Sequence, residues 1–129
     1  MSDSVQCDCP FCGLPSERIL GSNAHAVAVE DAFPVSPGYT LIILRRHTAS
    51  FFELTSEELA AVYDLVLRAK NRLAATLRPA GYNIGVNEGG TAGQTIMHLH
   101  VHLIPRFVGD VTDPRGGVRS VIPGKGPYG

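Results

Sequence analysis

The spacing of apolar and polar residues predicts two strands in the first part of the chain. Residues 25–30 and 39–44 are predicted to be strands, and the second is the clearer because aliphatic residues follow one another from Leu41 to Leu44. Turn-forming residues lie between the two segments: Pro34, Pro37 and Gly38. We therefore expect a turn that connects two strands.

A long amphipathic helix is predicted after these strands. The segment from Thr55 to Glu58 has the form of a capping box, which begins a helix. Apolar residues then recur at helical spacing: Leu59, Val62, Tyr63, Val66, Ala69, Leu73 and Leu77. Because Pro79 and Gly81 follow, we expect the helix to span 55–77.

Two more strands are predicted at 82–87 and 97–104, and a glycine-rich segment connects them. Residues 1–22 are predicted to be an irregular, cysteine-containing leader. Residues 107–129 form a Gly/Pro-rich tail that covers the site, joins a subunit interface or is flexible. Consecutive strands and one long helix predict a single α+β domain over 1–129, with an antiparallel meander sheet packed by that helix.

Three histidines stand two residues apart, with an aliphatic residue in each gap: His98, His100 and His102. Side chains of a strand alternate between faces, so the three imidazoles should share one face. The outer two begin roughly 13 Å apart, too far for a straight strand to wrap all three around one metal ion. A neutral imidazole is a competent nucleophile at pH 7, and the flanked middle ring, His100, is the predicted attacker.

This pattern, followed by two apolar residues, resembles the signature of the histidine triad (HIT) family of nucleotide hydrolases and transferases. The segment from Asn87 to Thr95 is similar to the turn-and-phosphate segment of that family. Residues 31–38, followed by Leu41 to His47, resemble its strand-loop-strand start. The similarity covers roughly residues 9–106 and implies a HIT-like fold. It also implies a homodimer.

A CxxC pair, Cys9 and Cys12, needs two further ligands to bind zinc. The residues alone leave several candidates open: Cys7, His25, His47 and one member of the triad. The HIT resemblance implies His47 and His98, and hence a structural Zn²⁺ that ties the leader to the sheet. Cys7 would then be an accessory thiol. The competing hypothesis is a dithiol redox pair, which normally lies between a strand and a helix.

The glycine-rich segment before the histidines is not a Walker A sequence, but such a turn can aim backbone N–H groups at an anion. The resemblance implies that Asn87, Gln94 and Thr95 donate to phosphate oxygens. It further implies that Asp31 accepts hydrogen bonds from the ribose hydroxyls, a form of recognition that recurs in other nucleotide sites.

The activity that the resemblance implies is cleavage of an α-phosphate bond in a purine nucleotide derivative. His100 would form a covalent nucleotidyl-histidine intermediate, and water would release a nucleoside monophosphate. His102 would help to hold the non-bridging oxygens, and His98 would fix the orientation of the attacking ring. Dinucleoside polyphosphates, with Mg²⁺ on the leaving group, and nucleoside phosphoramidates both stay open as substrates.

One residue departs from the family pattern. Many members carry a histidine directly after the glycine of the Pro-Gly turn, where this chain has Tyr39. A tyrosine hydroxyl donates and accepts hydrogen bonds but does not titrate near neutrality. This departure supports the alternative hypothesis, a nucleotide- or zinc-binding regulatory module with little catalysis.

Composition and charge argue against several other classes. The formal net charge of −1 gives no overall field for nucleic acid or an anionic membrane. We find no apolar run long enough to span a bilayer. Three cysteines suggest no even disulfide framework, so a reducing cytoplasm is expected. The 129 residues are 44% hydrophobic, enough for one core.

Overall fold

The computed structural model describes residues 9–127, which form an antiparallel sheet and one long helix. The strands are β1 (Ile19–Ser22), β2 (Ala26–Glu30), β3 (Thr40–Leu44), β4 (Gly81–Gly85) and β5 (His100–Arg106), and the helix is α1 (Ser56–Thr76). The strand order is β1-β2-β3-β5-β4, so the last strand lies between the third and the fourth. The strand that carries His100 and His102, β5, is therefore an interior strand of the sheet.

The predicted α+β class, an antiparallel sheet packed by one long helix, is confirmed. The prediction that the whole leader is irregular was wrong for β1. That strand has only four residues at a sheet edge, its side chains are at most half-buried, and its pairing with β2 is irregular between Ile19 and Gly21. Such a short edge strand carries too little alternation to be recognised in a sequence. Cys7 lies outside the described residues.

The central strand β3 is buried on both faces. Ile42 and Leu44 pack toward α1, whereas Leu41 and Ile43 belong to a second apolar cluster on the opposite face. Side chains from the leader and from the start of β3 cover this second cluster: Phe11, Leu14, Ile19 and Tyr39. The continuous aliphatic run of β3 is therefore the signature of a strand covered on both sides.

The apolar stripe of α1 is wider than the part of the helix surface that packs against the sheet. Its buried apolar residues are Val62, Leu65, Val66, Ala69 and Leu73. Leu59 and Tyr63, which have the same helical spacing, are 49% and 63% exposed. Although α1 has 21 residues, neither it nor another helix among residues 9–127 is apolar enough to cross a membrane.

The start of α1 is fixed by the predicted capping box. The Thr55 hydroxyl accepts from the Glu58 N–H at 3.1 Å, and the Glu58 carboxylate accepts from the Thr55 N–H at 3.0 Å. The same buried carboxylate accepts from the Arg46 guanidinium at 2.8 and 2.9 Å. The Arg46 bond and then the Thr55 backbone bond lower the pKa of Glu58 to about 2. This pair ties the helix to the segment that carries His47.

The Glu58→Gln variant is expected to lose about 1–3 kcal/mol of unfolding free energy at pH 7, because the pair with Arg46 and the cap are both weakened. The folded-state pKa of about 2 lies below the unfolded value of 4.5. The carboxylate therefore stabilises the protein fully above about pH 5, and this contribution disappears as the pH falls toward 2. Denaturant unfolding at pH 7 and pH 3 measures both effects.

The control variant is Glu57→Gln, which removes an exposed charge from the first turn of α1 and should change the unfolding free energy little. An equal loss of unfolding free energy in both variants would contradict the account.

Candidate active site and metal centre

His98 is fully buried, and its hydrogen bonds define which ring nitrogen carries the proton. Its Nε2 lies 2.6 Å from the carbonyl oxygen of Leu44. Because a carbonyl oxygen can only accept, Nε2 is the donor and Nδ1 presents a lone pair. Burial is the main cause of the lowered pKa of His98, and a lowered pKa favours the neutral ring. A neutral imidazole with a lone pair on Nδ1 is a metal ligand.

The lone pair of His98 faces the three other predicted metal ligands. Its Nδ1 lies 3.3 Å from the Cys9 Sγ, 3.6 Å from the Cys12 Sγ and 3.1 Å from the His47 Nδ1. All four ligand atoms lie within 4.8 Å of one another. Tetrahedral zinc with ordinary bond lengths separates its nitrogen ligands by about 3.3 Å and a nitrogen from a sulfur by about 3.5 Å. The four side chains can therefore hold one metal ion.

A tight turn brings the two cysteines of the leader together. The Cys12 N–H donates to the Cys9 carbonyl at 3.1 Å, and the Phe11 N–H donates to the Cys9 Sγ at 3.3 Å. Cys9 carries a free thiol, and the Cys12 Sγ lies 3.2 Å from the His47 Nδ1. Because zinc binds thiolates, the reduced protein is the form in which both sulfurs can serve as ligands.

His100 is oriented by the backbone of His98. Its Nδ1 lies 2.7 Å from the His98 carbonyl oxygen, so Nδ1 carries the proton and Nε2 presents a lone pair. The Phe11 ring packs edge-on against the imidazole, with 5.0 Å between ring centroids. His100 is thus a half-buried ring whose Nδ1 is held by the backbone, which leaves Nε2 as the ring nitrogen for attack.

His102 lies on the same face of β5 as His100. The two residues stand opposite Leu41 and Ile43 of β3, and their ring centroids are 5.0 Å apart. The Nδ1 of His102 is 2.7 Å from the Tyr39 hydroxyl. Its Nε2 is buried and has no hydrogen-bond partner among the described residues. Burial, followed by the neighbouring His100, lowers the pKa of His102.

Asp31 and Asn87 lie around the same face. The Asp31 N–H donates to the Tyr39 carbonyl at 3.0 Å, and the Asp31 charge adds to burial in raising the pKa of Tyr39. Asn87 lines a cleft of about 410 Å³ together with Tyr39 and His102. Asn87 therefore lies beside His102, and Asp31 lies close enough for its charge to act on Tyr39 and His102.

Gln94 is engaged in the structure of the glycine-rich loop. Its Oε1 accepts from the Gly89 N–H at 2.9 Å, and its Nε2 donates to the carbonyls of Ala49 and Ile96 at 3.0 and 3.3 Å. The buried amide thus connects both ends of the loop with the segment after β3. Thr95, the next residue, is exposed. In this arrangement Gln94 shapes the loop.

Sequence reasoning missed one contribution to the site and left a second open among three alternatives. Phe11 packs on His98 and His100, but an aromatic residue inside a CxxC pair gives no specific signal for such a contact. The tail forms a short 3-10 helix at Gly117–Val121, and its Val118 and Val121 line the cleft beside His102. A Gly/Pro-rich segment has no periodicity from which this position could be predicted.

The comparisons with known proteins agree on one family. Residues 15–109 match the HIT domain family. An uncharacterized HIT-like protein of Mycoplasma genitalium is 38% identical over 111 residues, which are 83% of this chain and 79% of that protein. The AP-4-A phosphorylase of Mycobacterium tuberculosis is 34% identical over 107 residues, covering 78% of this chain and 55% of that enzyme.

A solved structure extends the similarity to the fold. The zinc-bound histidine triad family protein from Mycobacterium smegmatis has a TM-score of 0.73 and 29% identity. The match covers 85% of this chain and 81% of that protein.

Purified under reducing conditions, the protein is expected to hold about one metal ion per chain, because four converging ligands form a closed site. Elemental analysis gives the amount and the identity of the metal. The His47→Ala variant should lose most of it, whereas His25→Ala, which removes another exposed histidine, should keep it. Equal metal content in these two variants would contradict the assignment.

Proposed function

The chain belongs to the HIT domain family, and we propose that it is a nucleotide hydrolase that cleaves an α-phosphate bond of a purine nucleotide derivative and releases a nucleoside monophosphate. The orientation of His100 is the observation that carries this proposal. Its Nδ1–H donates to the His98 carbonyl, which leaves the lone pair on Nε2 available. Nucleophilic catalysis needs that protonation state.

The first chemical step is an in-line displacement at phosphorus. The Nε2 lone pair of His100 forms a bond to the α-phosphorus, and the bond to the leaving group breaks with its electron pair. The leaving group takes its proton from solvent. The positive charge that develops on the ring is stabilised because Nδ1–H donates to the His98 carbonyl. A water oxygen then bonds to the phosphorus, the bond between phosphorus and the His100 Nε2 breaks with its electron pair returning to Nε2, and the water proton goes to solvent.

Positioning and electrostatics do most of the work in such a transfer. His102 and Asn87, which lie at the cleft beside His100, donate to the non-bridging oxygens. Thr95 is proposed to donate to a phosphate oxygen. The same role was expected of Gln94, but its Nε2 already donates to two backbone carbonyls, so Gln94 is proposed to keep the shape of the loop. Asp31 accepts from the ribose hydroxyls, and its location beside Tyr39 supports this role.

The metal is proposed to be a structural Zn²⁺ on Cys9, Cys12, His47 and His98. The Cys₂His₂ donor set suits zinc, and a zinc-bound relative supports this identity. When bound, the ion supplies rigidity, since four protein ligands complete a tetrahedral site. Any Mg²⁺ would instead accompany a polyphosphate leaving group.

Diadenosine polyphosphates are the favoured substrates, and nucleoside phosphoramidates are the second class. The relative named AP-4-A phosphorylase supports the first. Its name also favours a second acceptor: inorganic phosphate in place of water would attack the intermediate and release a nucleoside diphosphate. Adding phosphate to the assay and identifying the nucleotide product distinguishes the two acceptors.

A homodimer is the proposed assembly. The exposed apolar residues of α1 and of the edge strand β4 support it: Leu59, Tyr63, Leu67 and Ile84. An edge strand leaves backbone groups that can pair with a second copy. Sedimentation analysis of the purified chain tests this assembly directly.

The His100→Ala variant is expected to lose at least about 10³-fold in kcat toward diadenosine tetraphosphate or adenosine phosphoramidate, since it lacks the nucleophile. The matched control is His25→Ala, an exposed histidine outside the site, and its activity should equal that of the native chain. Mass spectrometry of native enzyme quenched during turnover should find the adenylyl adduct on His100.

The hydrolase proposal fails if the native chain turns over neither substrate faster than His100→Ala. Binding of adenosine monophosphate without turnover would then favour the alternative, a regulatory nucleotide-binding module.

A further inference from the structure

We propose that Tyr39 is a positioning residue that fixes the tautomer of His102: its hydroxyl donates to Nδ1, so that Nε2 keeps its proton and donates to a phosphoryl oxygen. This inference deepens the proposed function and rests on it. It gives a role to Tyr39, which stands where many members of the family have a histidine.

The side chains of Tyr39 and His102 are in close contact, and the backbone holds Tyr39 in place. The Tyr39 hydroxyl lies 2.7 Å from the His102 Nδ1, and the rings pack edge-on at 5.8 Å between centroids. The backbone of Tyr39 is held at both ends, since its N–H donates to the Ser36 carbonyl and its carbonyl accepts from the Asp31 N–H. The hydroxyl is therefore fixed in place by the turn that precedes β3.

The direction of this hydrogen bond follows from the rest of the site. His102 Nδ1 is the only partner of the Tyr39 hydroxyl among the described residues. If Nδ1–H donated instead, the buried Nε2 would present a lone pair to the phosphoryl oxygens, which repel it. With the hydroxyl as donor, Nε2–H is a buried donor without a partner among the described residues, and such a donor can stabilise the charge that develops in a transition state.

The electrostatics keep both partners in the required protonation states. Burial, and then the charge of Asp31, raises the pKa of Tyr39, so the phenol retains the proton that it donates. Burial lowers the pKa of His102, so its ring remains neutral. The groups that face this ring are His100 on β5, Tyr39 before β3 and Asp31 after β2. Because the Tyr39 hydroxyl does not titrate near neutrality, it continues to donate to Nδ1, and the proton of the His102 ring stays on Nε2.

Nitrogen-15 NMR of the native chain without nucleotide tests the tautomer directly. The expected spectrum shows a pyrrole-type Nε2 and a pyridine-type Nδ1 for His102, and the Tyr39→Phe variant should shift Nδ1 and mix the two forms. A proton on Nδ1 in the native chain would overturn the inference. Because this measurement needs no substrate, it separates failure of this inference from failure of the proposed function.

Kinetics of matched tyrosine variants provide the functional test. Tyr39→Phe is expected to lower kcat by about tenfold to a hundredfold with a smaller change in KM, since a donor aimed at developing charge acts mainly in the transition state. Tyr39→His, which restores a ring donor, should recover most of the loss. The control Tyr82→Phe removes a hydroxyl that donates to the Lys70 carbonyl, away from the site, and should leave kcat unchanged. Equal kcat in Tyr39→Phe and the native chain would contradict the proposal.

Discussion

The hydrogen bond from the His98 ring to the Leu44 carbonyl is the interaction on which the rest of the site depends. It assigns the proton to Nε2 and turns Nδ1 toward Cys9, Cys12 and His47. The peptide carbonyl of the same residue then fixes the ring of His100. One buried residue therefore connects the last residue of β3, a four-ligand cluster and the proposed nucleophile. A change at any of these contacts would alter the geometry of the attacking nitrogen.

The position of β3 explains how one small domain supports both a core and a reactive surface. One face of the strand packs against α1, and the other carries apolar residues beneath the leader. The leader is thus part of the core as well as the source of two ligands, because Phe11 packs on His100 while the cysteines on either side approach His98. A metal at the cluster would stabilise this covering layer, which small domains often need.

Much of this arrangement could be predicted from the sequence, because it depends on local pattern. The aliphatic run at Leu41 to Leu44 predicted the central strand, the capping box at Thr55 predicted the start of the helix, and the period of two placed His100 and His102 on one face. The ligands His47 and His98 came from resemblance to the HIT family.

The rest depends on long-range contacts that no local pattern specifies. The pairing of Tyr39 with His102 follows from the register of β3 against β5, and the amide of Gln94 is used within its own loop. The tail reaches the cleft although its sequence has no period. High-resolution crystallography of the reduced, metal-loaded protein with adenosine monophosphate tests the central claim most directly. The account predicts the His100 Nε2 as the ring nitrogen nearest phosphorus, at about 3–3.5 Å and aligned for in-line attack. A phosphate that instead lies against Nδ1, or away from β5, would contradict it.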